Sequence, residues 1–420
     1  MRSLICFSMQ QTTLLPQEKQ MKTSSDDATL QWQEAEQTHQ IRWHSEQGAP
    51  APKRVIVADD QLPADTAYRL ACEGTALLWK GDFQNAKQLL QALARRVDRP
   101  AGKSKKKAAT DLAHPPLTNE LPAAAFHRHR QAQAHRARVL GMLLITINDD
   151  YSIPLKRAPM VRDACIEAYG PAKEIGYAFV ISLRELLGLI GAHQWRKSGV
   201  AIPSLDASIT PHYGVYSPIR GEYLDLIAKA PLPAQITAAN GIAYDIGTGT
   251  GVIACLLAKR GVKKIIATDQ DDRALSCARE NIGKLGYQQQ IELRQTDLFP
   301  DGPADLIVCN PPWLPVRPNT PIENAIYDPE SRMLRGFLNG LVTHLAPQGE
   351  AWLIMSDFAE HLGLRDKDAL WNWITEAGLQ VVGKMDIKPQ HGKASDASDP
   401  LHAARAAEVT SLWRLRAQAT

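Results

Sequence analysis

Tyr244-Asp245-Ile246-Gly247-Thr248-Gly249-Thr250-Gly251-Val252 reads as a buried strand that runs into a glycine turn and opens a helix. The apolar run from Ile242 to Ile246 leads into it, and from Val252 to Lys259 the apolar residues recur at helical spacing. Gly247, Gly249 and Gly251 supply positive φ or a close backbone approach, and the first N–H groups of the new helix have no partner within it. A strand, a glycine turn and a helix start in this order make a site for a nucleotide-like ligand. The dinucleotide fingerprint Gly-x-Gly-x-x-Gly requires a glycine where Val252 stands. The pattern is instead Asp-x-Gly-x-Gly-x-Gly, and the Asp245 carboxylate at the strand end repels a diphosphate and attracts a cationic ligand.

S-adenosylmethionine has the matching chemistry: a sulfonium and an ammonium, both positive, and a ribose diol. The next apolar strand, Ile265-Ile266-Ala267, ends in Thr268-Asp269, so Asp269 is expected to take a bidentate hydrogen bond from the diol. A third carboxylate, Asp297 in Gln295-Thr296-Asp297-Leu298-Phe299, closes another strand and is suited to the adenine amino group. The expected cofactor-binding set is Asp245, Gly247, Thr248, Gly249, Gly251, Asp269 and Asp297.

A fourth strand, Ala304 to Cys309, runs into Asn310-Pro311-Pro312-Trp313. With this tetrapeptide behind the glycine turn and the two strand-end acids, the chain resembles the class I S-adenosylmethionine-dependent methyltransferases. The Asn-Pro-Pro-aromatic motif is similar to that of the HemK-type glutamine methyltransferases and of the small-domain enzymes that methylate nucleic-acid amino groups such as adenine N6. Glu222, in Ser217-Pro218-Ile219-Arg220-Gly221-Glu222-Tyr223, resembles a HemK-type Pro-Arg-Pro-x-x-Glu segment with its proline and arginine displaced. The resemblance covers residues 213–416 and implies an α/β fold, a Rossmann-like doubly wound seven-stranded sheet, preceded by a mainly helical N-terminal domain.

It also implies a catalytic set of Asn310, Pro311, Pro312 and Trp313. An amide or aromatic amine shares its lone pair with a π system and attacks only after it pyramidalises. The Asn310 side-chain oxygen and the Pro311 carbonyl are expected to accept its two N–H bonds, Pro312 to fix the turn, and Trp313 to stack on the planar acceptor. The expected acceptor is an exocyclic amine of an RNA or DNA base, the alternatives being a protein glutamine of the release-factor type or a small molecule.

At 420 residues and 44% hydrophobic composition the chain holds ample core for about two or three domains. A formal charge of +3 says nothing of partners, so only local clustering bears on nucleic acid. Cys6, Cys72, Cys165, Cys255, Cys277 and Cys309 lack metal-ligand spacing and are expected as reduced thiols of a cytoplasmic protein. No apolar run reaches the roughly 18 residues of a membrane helix. His114, His127, His129 and His135 have no carboxylate or cysteine at ligand spacing, so no metal site is expected.

Residues 1–60, polar and rich in Gln, are expected as a disordered tail on which Trp32 and Trp43 could dock, and 61–192 as a helical domain. Within the latter, helices are expected over 63–93 with a break at Gly81-Asp82, over 121–147, and over 160–169 and 177–189. The basic stretch Lys103 to Arg138 is expected to serve the acceptor. A linker or hairpin at 193–220 then leads to the methyltransferase domain at 221–420, which ends in an antiparallel pair, Leu379 to Ile387 and Glu408 to Leu415.

Overall fold

The computed structural model describes residues 28–99, 122–218, 221–238, 240–389, 396 and 399–418. Its first half runs β1 (Thr29–Glu34), β2 (Gln37–Trp43), β3 (Arg54–Ala58), α1 (Ala64–Cys72), β4 (Thr75–Trp79), α2 (Phe83–Val97), α3 (Pro122–Leu140), β5 (Leu143–Ile147), α4 (Arg162–Tyr169), α5 (Ala172–Ile175), β6 (Phe179–Ser182) and α6 (Leu183–Ser198). A two-stranded hairpin of β7 (Val200–Ile202) and β8 (Ala207–Ile209) follows. The second half runs α7 (Glu222–Lys229), β9 (Ile242–Ile246), α8 (Val252–Lys259), β10 (Lys264–Asp269), α9 (Asp272–Leu285), β11 (Ile291–Gln295), β12 (Ala304–Cys309), α10 (Arg332–His344), β13 (Leu345–Ser356), α11 (Phe358–His361), α12 (Ala369–Glu376), β14 (Leu379–Ile387), α13 (His402–Ala407) and β15 (Thr410–Ala417).

The strand that enters the glycine turn is central to a seven-stranded sheet of order β11-β10-β9-β12-β13-β15-β14. All its pairs are parallel except those of β15, which is antiparallel to both neighbours. Its central strands are apolar at successive positions because helices cover both faces. Leu224, Ile227, Ile253 and Leu257 pack on Ala243, Val308 and Ile354. Leu334, Phe337, Leu341 and Ile374 pack on Tyr244, Ile307 and Leu353 on the other face. From β9 the chain winds outward through β10 to β11, then returns to the far side of β9 as β12. Ligands bind in the crevice that such a reversal opens beyond the carboxyl ends of the two strands.

The N-terminal half departs from the helical expectation. Its helices accompany a six-stranded mixed sheet of order β1-β2-β6-β5-β4-β3. The Thr75–Trp79 and Leu143–Ile147 runs, expected within helices, are strands, and the segment expected as helix 177–189 is β6 followed by the start of α6. Short continuous apolar runs have no period that separates a doubly covered strand from a buried helix. Residues 29–43, expected in a disordered tail, form a hairpin whose second strand pairs with β6. β1 folds back against β3, and Leu30, Trp32 and Trp43 fill the curled face together with Ala76, Leu78, Leu144 and Val180. β3, also within the expected tail, pairs with β4, while residues 1–27 of that tail and the lysine run 103–107 lie outside the described residues.

Polar contacts tie the halves together. Arg273 on α9 pairs with Glu46 at 3.0 Å, and Arg196 of α6 and His212 both meet Glu280, at 2.5 and 2.8 Å. The basic helix α3 reaches across as well. Its Phe126 is buried among Leu314, Phe358, Leu362 and Leu401, and Arg130 donates to the Arg317 carbonyl at 2.9 Å and pairs with Glu323 at 3.3 Å.

Candidate active site

The β9–α8 turn is built around Asp245. Its side chain is fully buried, and Oδ2 accepts from the Thr248 hydroxyl at 2.6 Å and from the Ala254 N–H at 3.0 Å. Oδ1 is buried without a hydrogen-bond partner. Burial pushes this carboxyl up to about 7. A buried acceptor left unpaired costs free energy, and a cationic or N–H-bearing ligand would offset that cost. Gly251 has φ +80°, and a Cβ there would meet Cα and Cβ of Ala278 at 3.2 Å, so both conformation and the close packing of α9 require glycine. The Thr248 N–H donates to the Thr268 carbonyl at 2.8 Å, which locks the turn to β10.

Asp269 closes β10 beside that turn. Its Oδ2 accepts from the Gly249 N–H and its Oδ1 from the Asp271 N–H, both at 3.0 Å, and burial raises its pKa. Asp297 is brought to the same rim: the Thr296 N–H donates to the Asp269 carbonyl at 3.2 Å, and the Thr268 hydroxyl donates to the Leu298 carbonyl at 2.7 Å. The Asp297 side chain is exposed. Gly247 and Gly249, at φ +72° and +55°, complete the turn.

Asn310 follows the last residue of β12. Val308 pairs with Asp245 in the ladder, so Asn310 and Asp245 stand at adjacent strand ends on either side of the switch point. The Trp313 indole N–H donates to Asn310 Oδ1 at 3.0 Å. The buried Tyr223 of α7 lies beside the Asn310 amide, and burial drives its hydroxyl pKa far upward. The Trp313 N–H holds Oδ1, which keeps a second lone pair. Pro311 is buried and Pro312 half-buried, and the Trp313 ring packs between the cores on the two faces of the sheet. The Trp313 carbonyl accepts from Arg365 at 3.4 Å, a nearly buried guanidinium held by both oxygens of Glu360 at 2.8 and 3.0 Å. Burial raises the thiol of neighbouring Cys309 well above its ordinary pKa, which makes it a core group and no nucleophile.

The structure places the expected site residues together at the carboxyl ends of β9, β10, β11 and β12. Tyr223, Arg365 and Glu360 were not anticipated from the sequence. Tyr223 adjoins Glu222, the residue that drew notice there, and only its helical position shows that it faces Asn310. The segment His212–Ser217 packs along α9 through Val215, which is buried against Ala274 and Cys277, and Gly214 gives Arg273 room to pass.

Residues 207–366 match the family model described as the methyltransferase small domain. The chain is 36% identical over 157 residues to a release factor glutamine methyltransferase of Cereibacter sphaeroides, covering 33% of this chain and 52% of that one. It is 45% identical over 74 residues to a tRNA1(Val) (adenine(37)-N6)-methyltransferase of Parabacteroides distasonis, covering 16% of this chain and 31% of that one. A solved methyltransferase from Pyrococcus furiosus aligns at 19% identity with a TM-score of 0.35, over 54% of this chain and 98% of that one. The chain thus spans about half the length of the first of these curated relatives, and less of the second.

Proposed function

We propose, for a chain whose residues 207–366 belong to the methyltransferase small-domain family, that it is an S-adenosylmethionine-dependent N-methyltransferase of a planar amino or amide nitrogen. The observation that carries this reading is the Asn310 amide, held by the Trp313 N–H one strand away from the unpaired buried carboxylate oxygen of Asp245. The cofactor, when bound, supplies a methyl group already activated by its positive sulfur. Asp245 and the glycine turn hold the cationic end, Asp269 the ribose diol, and Asp297 the outer rim by the adenine. Asn310 Oδ1 and the Pro311 carbonyl accept the N–H bonds of the acceptor, which turns its lone pair toward the methyl and stabilises the positive charge that develops on nitrogen.

The favoured acceptor is an exocyclic amine of a nucleic-acid base. Similarity to a tRNA adenine-N6 methyltransferase supports it, while similarity to a release-factor glutamine methyltransferase supports a glutamine amide as second reading. On either, residues from about 221 onward carry the chemistry and the N-terminal half serves the acceptor. The unpaired thiols of Cys72, Cys165, Cys255, Cys277 and Cys309 support a reducing, cytoplasmic setting. The test is transfer of labelled methyl into separated RNA, DNA and protein of a strain lacking this gene. Label in a base amine is the expected outcome, and label on oxygen, sulfur or carbon sinks the proposal.

Asp269→Ala is expected to weaken cofactor binding by about 1 to 3 kcal/mol, the cost of a diol left without its acceptor. Calorimetry checks this, and an unchanged affinity would remove Asp269 from the cofactor set. Trp313→Phe keeps an aromatic face but loses the N–H that holds Asn310 Oδ1. Turnover should fall about 5-fold, or about 1 kcal/mol, with KM for the acceptor little changed. A rise in KM at constant turnover would show that the ring acts by stacking alone.

A further inference from the structure

Helix α3 is 19 residues long, about 28 Å at 1.5 Å per residue, and carries Arg128, Arg130, Arg136 and Arg138 with three histidines and no Asp or Glu. Long exposed helices ordinarily support themselves with opposite charges at i,i+4, whereas like charges along one helix repel. Arg130 and Arg136 face the protein, paired with Glu323 and Asp98. Arg128, Gln131, His135 and Arg138 are exposed, and their 3-4-3 spacing puts them on one line of the helix. Arg138 lies 3.0 Å from His135 Nδ1. Between His127 and Arg138 the helix carries no apolar residue larger than alanine, so this face has none of the apolar or aromatic anchors at the core of a protein interface.

Its course is as informative as its charge. At one end Phe126 and Arg130 grip the loop that follows Trp313, and Arg130 also lies over the Tyr327 ring at 4.3 Å. The exposed Arg317 belongs to that loop. Toward the other end Arg136 pairs with Asp98, which caps the end of α2, and Leu140 joins Leu89, Leu90 and Leu93 in the core of the N-terminal half. The helix therefore runs from the loop behind Trp313 to the N-terminal half.

We propose that the exposed line Arg128–Gln131–His135–Arg138 is a docking rail for the phosphates of an unpaired nucleic-acid strand, which it leads toward the loop after Trp313 so that one base reaches Asn310. This rests on the base-amine reading above. An unpaired strand fits because a base amine is reachable only outside a stacked duplex. The rail contacts backbone, so its contribution is independent of sequence and sensitive to salt.

The test is fluorescence anisotropy of the full chain with labelled unstructured RNA and DNA oligonucleotides of about 20 residues, titrated between about 50 and 200 mM salt. Arg128→Gln/Arg138→Gln should weaken binding about 10-fold at the lower salt and reduce the slope of log K against log salt by about 1.5, for two lost phosphate contacts. Thermal stability and cofactor affinity should be unchanged, and Arg128→Lys/Arg138→Lys should restore binding. A stronger effect on the RNA than on the DNA oligonucleotide, or the reverse, identifies which strand the rail serves. Wild-type affinity and slope in the Gln pair overturn the rail while leaving the methyltransferase reading intact. Methyl label found in protein glutamine and in no nucleic acid overturns the base-amine reading on which the rail depends.

Discussion

Asn310→Ala is expected to lower turnover by about 100-fold or more, the loss typical of removing one preorganised acceptor or donor at a developing charge. Cofactor affinity should stay near that of the wild type, because Asp245 and Asp269 are held by their own backbone and hydroxyl donors and not by Asn310. A modest loss of stability, about 1 kcal/mol, should accompany it as the Trp313 indole N–H loses its partner. Asn310→Asp separates charge from geometry. It keeps an oxygen for the Trp313 N–H but brings a second carboxylate to the strand end beside Asp245, so the cofactor should bind well while the acceptor amine is poorly placed. Single-turnover kinetics on the acceptor identified by label transfer read both variants, and a wild-type rate in Asn310→Ala would reduce the tetrapeptide to a turn.

The second large effect is expected at Asp245. Its carboxyl titrates near 7 in the folded chain against an ordinary value of 3.8, because burial disfavours the charge. A carboxyl that binds its proton more tightly when folded contributes stability that is complete below its unfolded pKa and is lost as pH rises through the folded one. Thermal stability without cofactor should therefore decline from about pH 4 to above pH 7, by roughly 4 kcal/mol at most. Asp269, also raised by burial, adds to the same slope. A cationic ligand reverses the preference and drives Asp245 to ionise, so cofactor binding near pH 6 should release close to one proton. Calorimetry in buffers of different ionisation enthalpy reads that proton directly. Asp245→Asn should abolish the release, flatten the pH profile and weaken binding by about 3 kcal/mol or more, as expected when one partner of a buried charge pair is removed. Proton-independent binding of wild-type strength in Asp245→Asn would show that the cation is held elsewhere.

The placement of the expected site residues at neighbouring strand ends was legible because it rests on local signals. A glycine turn, an acid at the end of each strand and the residues after β12 are each encoded within a few positions, and the strand order then brings them together. The partners of Asn310 were less so. That Tyr223 stands beside the amide depends on how α7 crosses the sheet, and that Trp313 presents its N–H inward depends on packing, neither of which has a local signature. Arg365, which braces the Trp313 carbonyl, is likewise brought in from beyond the end of β13. The N-terminal half was misread for a related reason. Thr75–Trp79 and Leu143–Ile147 have the composition of either structure, and residues 29–43 look polar because one face of that hairpin is exposed while Leu30, Trp32 and Trp43 fill the other. Arg130 and Arg136 looked like part of one undivided basic run, but the helix turns them toward Glu323 and Asp98 and leaves Arg128 and Arg138 outside.

The pairing of Trp43 with Val180 also governs how the chain is born. On a ribosome the β1–β2 hairpin emerges first, yet the parallel partner that covers its edge belongs to β6 and is translated more than a hundred residues later. Until then the edge of β2 has no strand partner, while β3, β4 and β5 can already zip to one another in order of synthesis and offer Ala76, Leu78 and Leu144 to the two indoles. Closure over so long a loop is entropically slow, so the last native contacts of this half should be those of its first residues. The β1–β2 hairpin is thus the segment whose maturation lags, and an early nascent chain exposes the strand edge that the finished molecule pairs with β6.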